Sequence, residues 1–208
     1  MKLAEVKKSL ISGYQPNFKA LGFKKWKYGF VKEDIEFQYL FGLACLDRDT
    51  TFPCTFYIRL SSRSISNVLK KIIPFNEDYA QIFGLGQQEL FEKGEYTNSS
   101  HDICNEYDVK HMIDESFKYF NTKGFPLLLD LSDLKKIEVI INSDLNAWKR
   151  NVGIILARLV DRFDFNILVN KYRNLILKWN EVDRVEFEKI VSFLEKHTVD
   201  EIRSFALE

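Results

Sequence analysis

Cysteine, proline and glycine are all scarce in this sequence. The three cysteines, Cys45, Cys54 and Cys104, are an odd number and too few to staple a chain of this size. Free thiols in a reducing cytoplasm are therefore expected, with a Cys45–Cys54 bridge across a hairpin as the alternative. Four prolines and nine glycines in 208 residues exclude collagen-like and low-complexity chains. Long apolar runs are missing as well. The strongest, residues 152–160, is interrupted by Arg158, so no stretch approaches the roughly 18 apolar residues of a membrane span. The first 21 residues lack the apolar core and small-residue cleavage site of a secretory signal. Charge of one sign is not in excess either: thirty basic residues balance thirty acidic ones. A global polyanionic or polycationic partner is thus not indicated.

Familiar catalytic signatures are absent too. There is no glycine-rich loop ending in Gly-Lys-Ser/Thr, no His-Glu-x-x-His and no Gly-x-Ser-x-Gly. Gly84-Leu85-Gly86 begins like a dinucleotide fingerprint, but Glu89 stands where the third glycine would allow close packing on a pyrophosphate. It reads as a turn.

What is present is globular material, 46% apolar and 14% aromatic, enough to offset chain entropy. Leu3, Val6, Leu10, Tyr14, Phe18 and Leu21 recur every three or four residues, which predicts an amphipathic helix that Pro16 threatens to split and Gly22 stops. The period then changes to two. Trp26, Tyr28 and Phe30 alternate with Lys25, Lys27 and Gly29; Ile35, Phe37, Tyr39, Phe41, Leu43 and Cys45 share a face; Phe52, Cys54, Phe56, Ile58 and Leu60 alternate after the turn at 47–50. Three antiparallel strands follow from this pattern, their aromatic face covered by the first helix. A short helix is expected over 64–73 and a fourth strand around Ile82, Phe83 and Leu85, while 92–108 reads as a loop. Beyond it every stripe is helical. Asp108 caps a helix ended by Gly124 and Pro126, Ser132 starts another, further stripes run over 145–159, 165–179 and 182–194, and Thr198/Glu201 form a capping box. The expected class is α+β, an antiparallel meander covered by an N-terminal helix and followed by a helical extension. The expected division is 1–142 and 143–208, with one continuous domain as the alternative.

Gly22-Phe23-Lys24-Lys25 after a first helix, the strand patterns, Gly124-Phe125-Pro126 and Ser132-Asp133-Leu134 together resemble a family of uncharacterised bacterial proteins, a domain of unknown function. The resemblance spans about residues 5–142 and implies the fold, with no catalytic residues to carry over. Where similar proteins often have paired tryptophans, this chain reads Gly94-Glu95-Tyr96-Thr97-Asn98.

His101, Cys104 and His111 are the one cluster of metal-capable residues along the chain. Zinc wants three or four converging ligands, and a second tight pair is missing, so neither stoichiometric metal nor any cofactor is expected. Asp47 and Asp49 read as hairpin-turn residues bonding their own backbone. Residues 1–32 hold eight lysines against one glutamate, interleaved with Trp26, Tyr28 and Phe30. That strip suggests a weak nucleic-acid site, but alternation turns the rings inward and leaves the lysines to keep an edge strand wet, so weak nucleic-acid binding through this strip stands only as an alternative. The expected function is non-enzymatic: cytoplasmic binding of another protein, an immunity-type toxin blocker being one form. Its contact residues would be Tyr96, His101, Asp102 and Tyr107 in the long polar loop. The rival is a metal-dependent enzyme using residues 94–111.

Overall fold

The computed structural model describes residues 2–208. An N-terminal helix, a six-stranded antiparallel sheet and a helical C-terminal region make it α+β. Helix α1 (Leu3–Ala20) runs through Pro16 unbroken. The proline is exposed, so the carbonyl left without a donor is on the solvent side, while Val6, Leu10, Tyr14 and Phe18 hold the buried stripe. Gly22, at φ +79°, ends it: its N–H donates to Lys19 O (3.0 Å) and Phe23 N–H to Phe18 O (2.9 Å). This double closure needs a left-handed residue, which glycine supplies without a Cβ penalty.

The first alternating run folds differently from expectation. It is a hairpin, β1 (Lys24–Trp26) and β2 (Gly29–Glu33), turning at Lys27-Tyr28 with Trp26 opposite Gly29. Trp26 and Tyr28 are consequently exposed, and of the three rings only Phe30 is buried. Strand β3 (Phe37–Cys45) pairs with β2, placing Phe30 opposite Phe41, and β4 (Phe52–Ser62) follows after the turn at 47–50. Ile35 lies exposed between strands instead of on the shared face. Helix α2 (Arg63–Ile72) and β5 (Ala80–Gly86) match the expected short helix and fourth strand. The strand order is β1-β2-β3-β4-β5, and β6 (His101–Ile103) pairs with the first residues of β4, within the stretch expected to be a loop.

Helix α3 (Gln87–Glu92) follows β5, and α4 is Glu106–Tyr119. Gly124 and Pro126 do not end α4. A π-turn over Phe120–Gly124, with Phe125 N–H bonded to Phe120 O, carries the chain into α5 (Phe125–Asp130). The widened turn accommodates a proline that has no N–H to donate. Then come α6 (Leu134–Ser143), capped by Asp133 and not Ser132, α7 (Arg150–Leu159), α8 (Phe165–Ile176), α9 (Glu181–Lys196) and α10 (Val199–Leu207), the last with the expected Thr198/Glu201 capping box. No described helix is long and apolar enough to cross a membrane.

The chain groups into two units that interleave along the sequence. The sheet unit comprises residues up to 34, 38–60 and 83–130; the helical unit comprises 35–37, 61–82 and 131–208. The sheet unit is built on aromatic rings. Phe18 stacks on Phe30 at 4.5 Å and touches Phe41 and Phe120, and Phe41 stacks on Phe56 at 5.4 Å. In the helical unit, Ile154–Ala157 of α7 are completely buried, as are Tyr172, Phe187, Ile190 and Leu194. A polar network lies among them: Asn142 donates to Glu138 (2.8 Å) and to Gly153 O (3.1 Å) and accepts from Tyr172 Oη (2.8 Å).

Phe37, Phe41, Phe56 and Ile58 are all buried, as strand alternation requires. Truncating Phe56 to alanine removes a ring in contact with Phe41, Tyr96 and Tyr119. Chemical denaturation should show a loss of about 3–5 kcal/mol; a loss under ~1 kcal/mol would mean that the site collapses around the missing ring.

Candidate functional site

The polar segment singled out in the sequence folds onto the aromatic core of the sheet unit. Its β6 portion sets Cys54 opposite His101, Pro53 opposite Asp102 and Phe52 opposite Ile103. Strand alternation then turns His101 and Ile103 inward and Asp102 outward. The chain immediately enters α4. Asn105 caps the helix by accepting from the N–H groups of Tyr107 (2.8 Å) and Asp108 (3.2 Å). Asp108 returns the favour as the third helical residue, accepting from the N–H groups of Asn105 (3.2 Å) and Cys104 (2.8 Å). Asp108 is therefore half of a capping box and not the cap itself.

One turn further on, His111 and Glu115 stand four residues apart, a spacing that places both on one helical face. Their side chains converge with His101. Glu115 Oε2 lies 3.7 Å from His101 Nε2 and 3.8 Å from His111 Nδ1, and the three potential ligand atoms all lie within 4.8 Å of one another. The Glu115 carboxylate is held from the other side by the 97–98 backbone turn, accepting from Thr97 Oγ1 and Asn98 Nδ2, each at 3.0 Å. That turn is anchored in its own right. Gln87 Nε2 donates to Asn98 O (2.9 Å), while Gln87 Oε1 accepts from the Phe56 N–H of β4 (3.0 Å).

Tyr96 closes the site from inside. Its ring packs edge-on to Phe56 and Tyr119, and its hydroxyl lies 3.1 Å from His101 Nε2. Burial, reinforced by the Glu115 charge, pushes the Tyr96 phenol well above its ordinary value, so the hydroxyl stays protonated beside the imidazole, and the His101 tautomer sets which of the two donates. Burial also lowers the His101 pKa, against the opposing pull of the Glu115 and Asp102 charges and with a small contribution from His111. His101 is thus kept neutral at pH 7, the form that offers a lone pair.

The structure thus joins Tyr96, His101 and His111 and leaves out the other expected residues. Cys104 is exposed, with its backbone, not its thiol, engaged by Asp108. Asp102 and Tyr107 are on the surface, and the Tyr107 ring lies 6.4 Å from the His111 ring. Tyr96 and His101 are buried, so their side chains are not available to anchor a partner. Glu115 escaped the sequence reading; the signal that could have found it is His-x-x-x-Glu on one helix face.

Two imidazoles and one carboxylate are the ligand set of catalytic zinc sites that keep an open fourth position. Tetrahedral zinc, with bonds of 2.0–2.1 Å, requires ligand atoms about 3.3 Å apart; the two distances to Glu115 Oε2 are 3.7 and 3.8 Å and all three atoms lie within 4.8 Å of one another, so ligation needs the three side chains to draw together. An ion on His101 Nε2 would displace the Tyr96 hydrogen bond and leave that hydroxyl beside the open position. Comparison with protein-family models, curated proteins and solved structures finds no match to this chain, so its functional reading rests on its own geometry.

No stoichiometric metal is expected from the sequence, but Glu115 supplies the missing third ligand and reverses that expectation: zinc titration followed by calorimetry should show one ion per chain, weakened tenfold or more by His111→Ala and by Glu115→Gln, both outside the aromatic core. Unchanged binding in both variants would place the ion elsewhere. Affinity should fall on acidification, because the imidazoles must be deprotonated to ligate.

The depressed His101 pKa has a stability consequence of definite sign. Below the ordinary histidine value of about 6.5 the unfolded chain takes up a proton that the folded chain refuses, so stability is lost as pH falls from there toward the folded pKa. Calorimetric melts between pH 7.5 and 5.5 should show this loss, and His101→Gln should reduce it. A wild-type melting temperature independent of pH over that range would contradict it.

Proposed function

We propose that this chain acts by binding another protein, and that the helical unit supplies the contact surface. One observation carries the reading: large apolar side chains stand in water on this unit's helices and turns, among them Trp148 (83% exposed), Phe163 (100%) and Val182 (77%). Contiguous exposed apolar surface marks interaction sites, and the exposed Trp148 ring adjoins the half-buried Trp179 ring.

The Trp148 region has the composition and rigidity of an anchoring spot. Trp148 packs on Trp179 with ring centroids 4.7 Å apart, and the Arg150 guanidinium lies 4.4 Å from the Trp179 ring. Arg150 is itself buried and held by Asp183 at 2.9 Å. Asn146 caps the short 3₁₀ turn that carries Trp148, accepting from the Trp148 N–H at 2.9 Å. Tryptophan is enriched in binding hot spots, and a ring fixed in advance loses little freedom on association. Three free cysteines suit a reducing cytoplasm as the place of action. Occlusion of a toxin, as immunity-type proteins do, is one specific form of this reading.

A second reading is favoured by His101, His111 and Glu115: a metal-dependent activity built on residues 94–115 of the sheet unit, with the ion's open position beside Tyr96.

The binding reading is tested by co-purification from the native host with the full-length chain as bait. A stoichiometric protein partner is expected, its recovery reduced tenfold or more by Trp148→Asp at unchanged melting temperature. Failure to retain any protein, or equal recovery with both Trp148→Asp and Phe163→Asp, would sink the proposal.

A further inference from the structure

The sheet unit holds a second concavity, sharing no residue with the His101 cluster. It is a cavity of about 490 Å³ between the first half of α1, the β1–β2 hairpin and the end of β3. That volume falls in the range of small-molecule sites. Ile11, Leu43 and Leu46 supply apolar wall, with the Tyr28 ring and the Cys45 thiol beside them.

Its charge is one-sided. Lys7, Lys8, Lys25 and Lys27 line it, and no carboxylate does. Two of these ammonium groups converge on one ring: Lys27 Nζ lies 5.1 Å and Lys7 Nζ 6.0 Å from the centre of Tyr28. Among the described residues none of the four lysines is in an ion pair with an acid. The like charges repel one another and are left for an external anion to neutralise. The hairpin turn at Lys27-Tyr28 keeps Trp26 and Tyr28 out of the core and presents Tyr28 to the cavity.

A concave apolar wall with ammonium groups around it matches one ligand chemistry, an apolar body ending in an anion. A nucleic-acid strand would present a phosphate at every nucleotide, with no aliphatic part to fill the concavity. Arginine, the residue suited to planar phosphate and base recognition, is absent from residues 1–32.

We propose that this cavity binds a free single-chain anionic amphiphile of the medium-chain carboxylate class. The chain lies against Ile11, Leu43 and Leu46, and the carboxylate sits among Lys7, Lys25 and Lys27. Cys45 provides a built-in reporter. It is half-buried in the cavity wall, and a hydrogen bond with Cys54, aided by the Lys7 charge, lowers its pKa and so favours the reactive thiolate. Cys54 is buried, and Cys104 is exposed on a different part of the unit.

The probe is dodecanoate, titrated calorimetrically below the concentration at which it forms micelles. Saturable binding at one molecule per chain is expected, weakened at least tenfold in Lys7→Glu/Lys27→Glu and less in the milder Lys7→Gln/Lys27→Gln. Lys2→Glu/Lys19→Glu carries the same net charge as the first variant but leaves the cavity intact, and should bind as the wild type does. Dodecanoate should also slow iodoacetamide alkylation of Cys45 while leaving that of Cys104 unchanged, read by mass spectrometry. Dodecanol binding as tightly as dodecanoate would overturn the proposal, as would equal losses in the cavity and control variants. So would failure of dodecanoate to bind, whether or not vesicles of anionic phospholipid or oligothymidylate associate through the same lysines.

Discussion

The ring of Phe18 is the point on which the sheet unit depends. It stacks on Phe30 of β2, tilts against Phe41 of β3, and meets Phe23, Phe117 and Phe120 within 5.5 Å. A single side chain thereby ties α1, the sheet and α4 with its π-turn. Each such pair contributes about 0.5–1.5 kcal/mol beyond the area it buries, and the contacts share one ring, so they stand or fall together. The glycine turn that ends α1 follows from this constraint. Phe18 can face the sheet and Phe23 can return to it only if the chain reverses sharply between them, and Gly22 in the left-handed region allows that.

Polar chemistry is layered on this aromatic frame. Tyr14 passes through the core and meets Ser116 Oγ at 2.6 Å, its burial raising the phenol far above the ordinary range. Tyr96 does the same one layer out, with its ring on Phe56 and its hydroxyl on His101. The His101–His111–Glu115 cluster therefore rests on rigid elements, a strand and a four-turn helix, and not on a free loop. Gln87 joins β4 to the turn at Asn98, so the groups that hold Glu115 are fixed by the sheet. Rigid support of this kind is what a ligand site requires.

The helical unit is arranged differently: a polar network runs through a largely aliphatic interior that also holds Tyr172 and Phe187, while Trp148 and Phe163 lie on the surface. Arg162 binds Glu138 at 2.7 Å and Asp164, and Asn142 connects Glu138 to Tyr172, whose phenol burial pushes up to about 12. A Cβ at Gly153 would come within 2.6 Å of both the Tyr172 hydroxyl and the Asn142 oxygen, so glycine is required there by the network. Buried groups that satisfy one another in this way favour one packing over its competitors. With the interior so specified, Trp148 and Phe163 are free to remain on the surface.

Periodicity alone was enough for most of the secondary structure. The stripe of Val6, Leu10, Tyr14 and Phe18 defines α1, the alternation from Phe52 to Leu60 defines β4, and Thr198 with Glu201 marks the start of α10, because each pattern reports which face a local segment must bury. The α+β class follows from the order of those segments. Local pattern could not decide events that depend on distant partners. The run from Lys25 to Phe30 alternates without a break, and only the pairing of Phe30 with Phe41 shows that the chain turns at Lys27-Tyr28 and leaves two rings outside. His101–Ile103 is too short to declare itself a strand until β4 supplies its hydrogen bonds. Gly124 and Pro126 look like a helix end, yet packing of Phe120 and Phe125 against the core rings holds the chain in a π-turn. Glu115 joins His101 across fourteen residues, and the lysines of α1 meet those of the hairpin around one cavity. Residue spacing encodes faces, but convergence of side chains from separate elements exists only once those faces have been packed together.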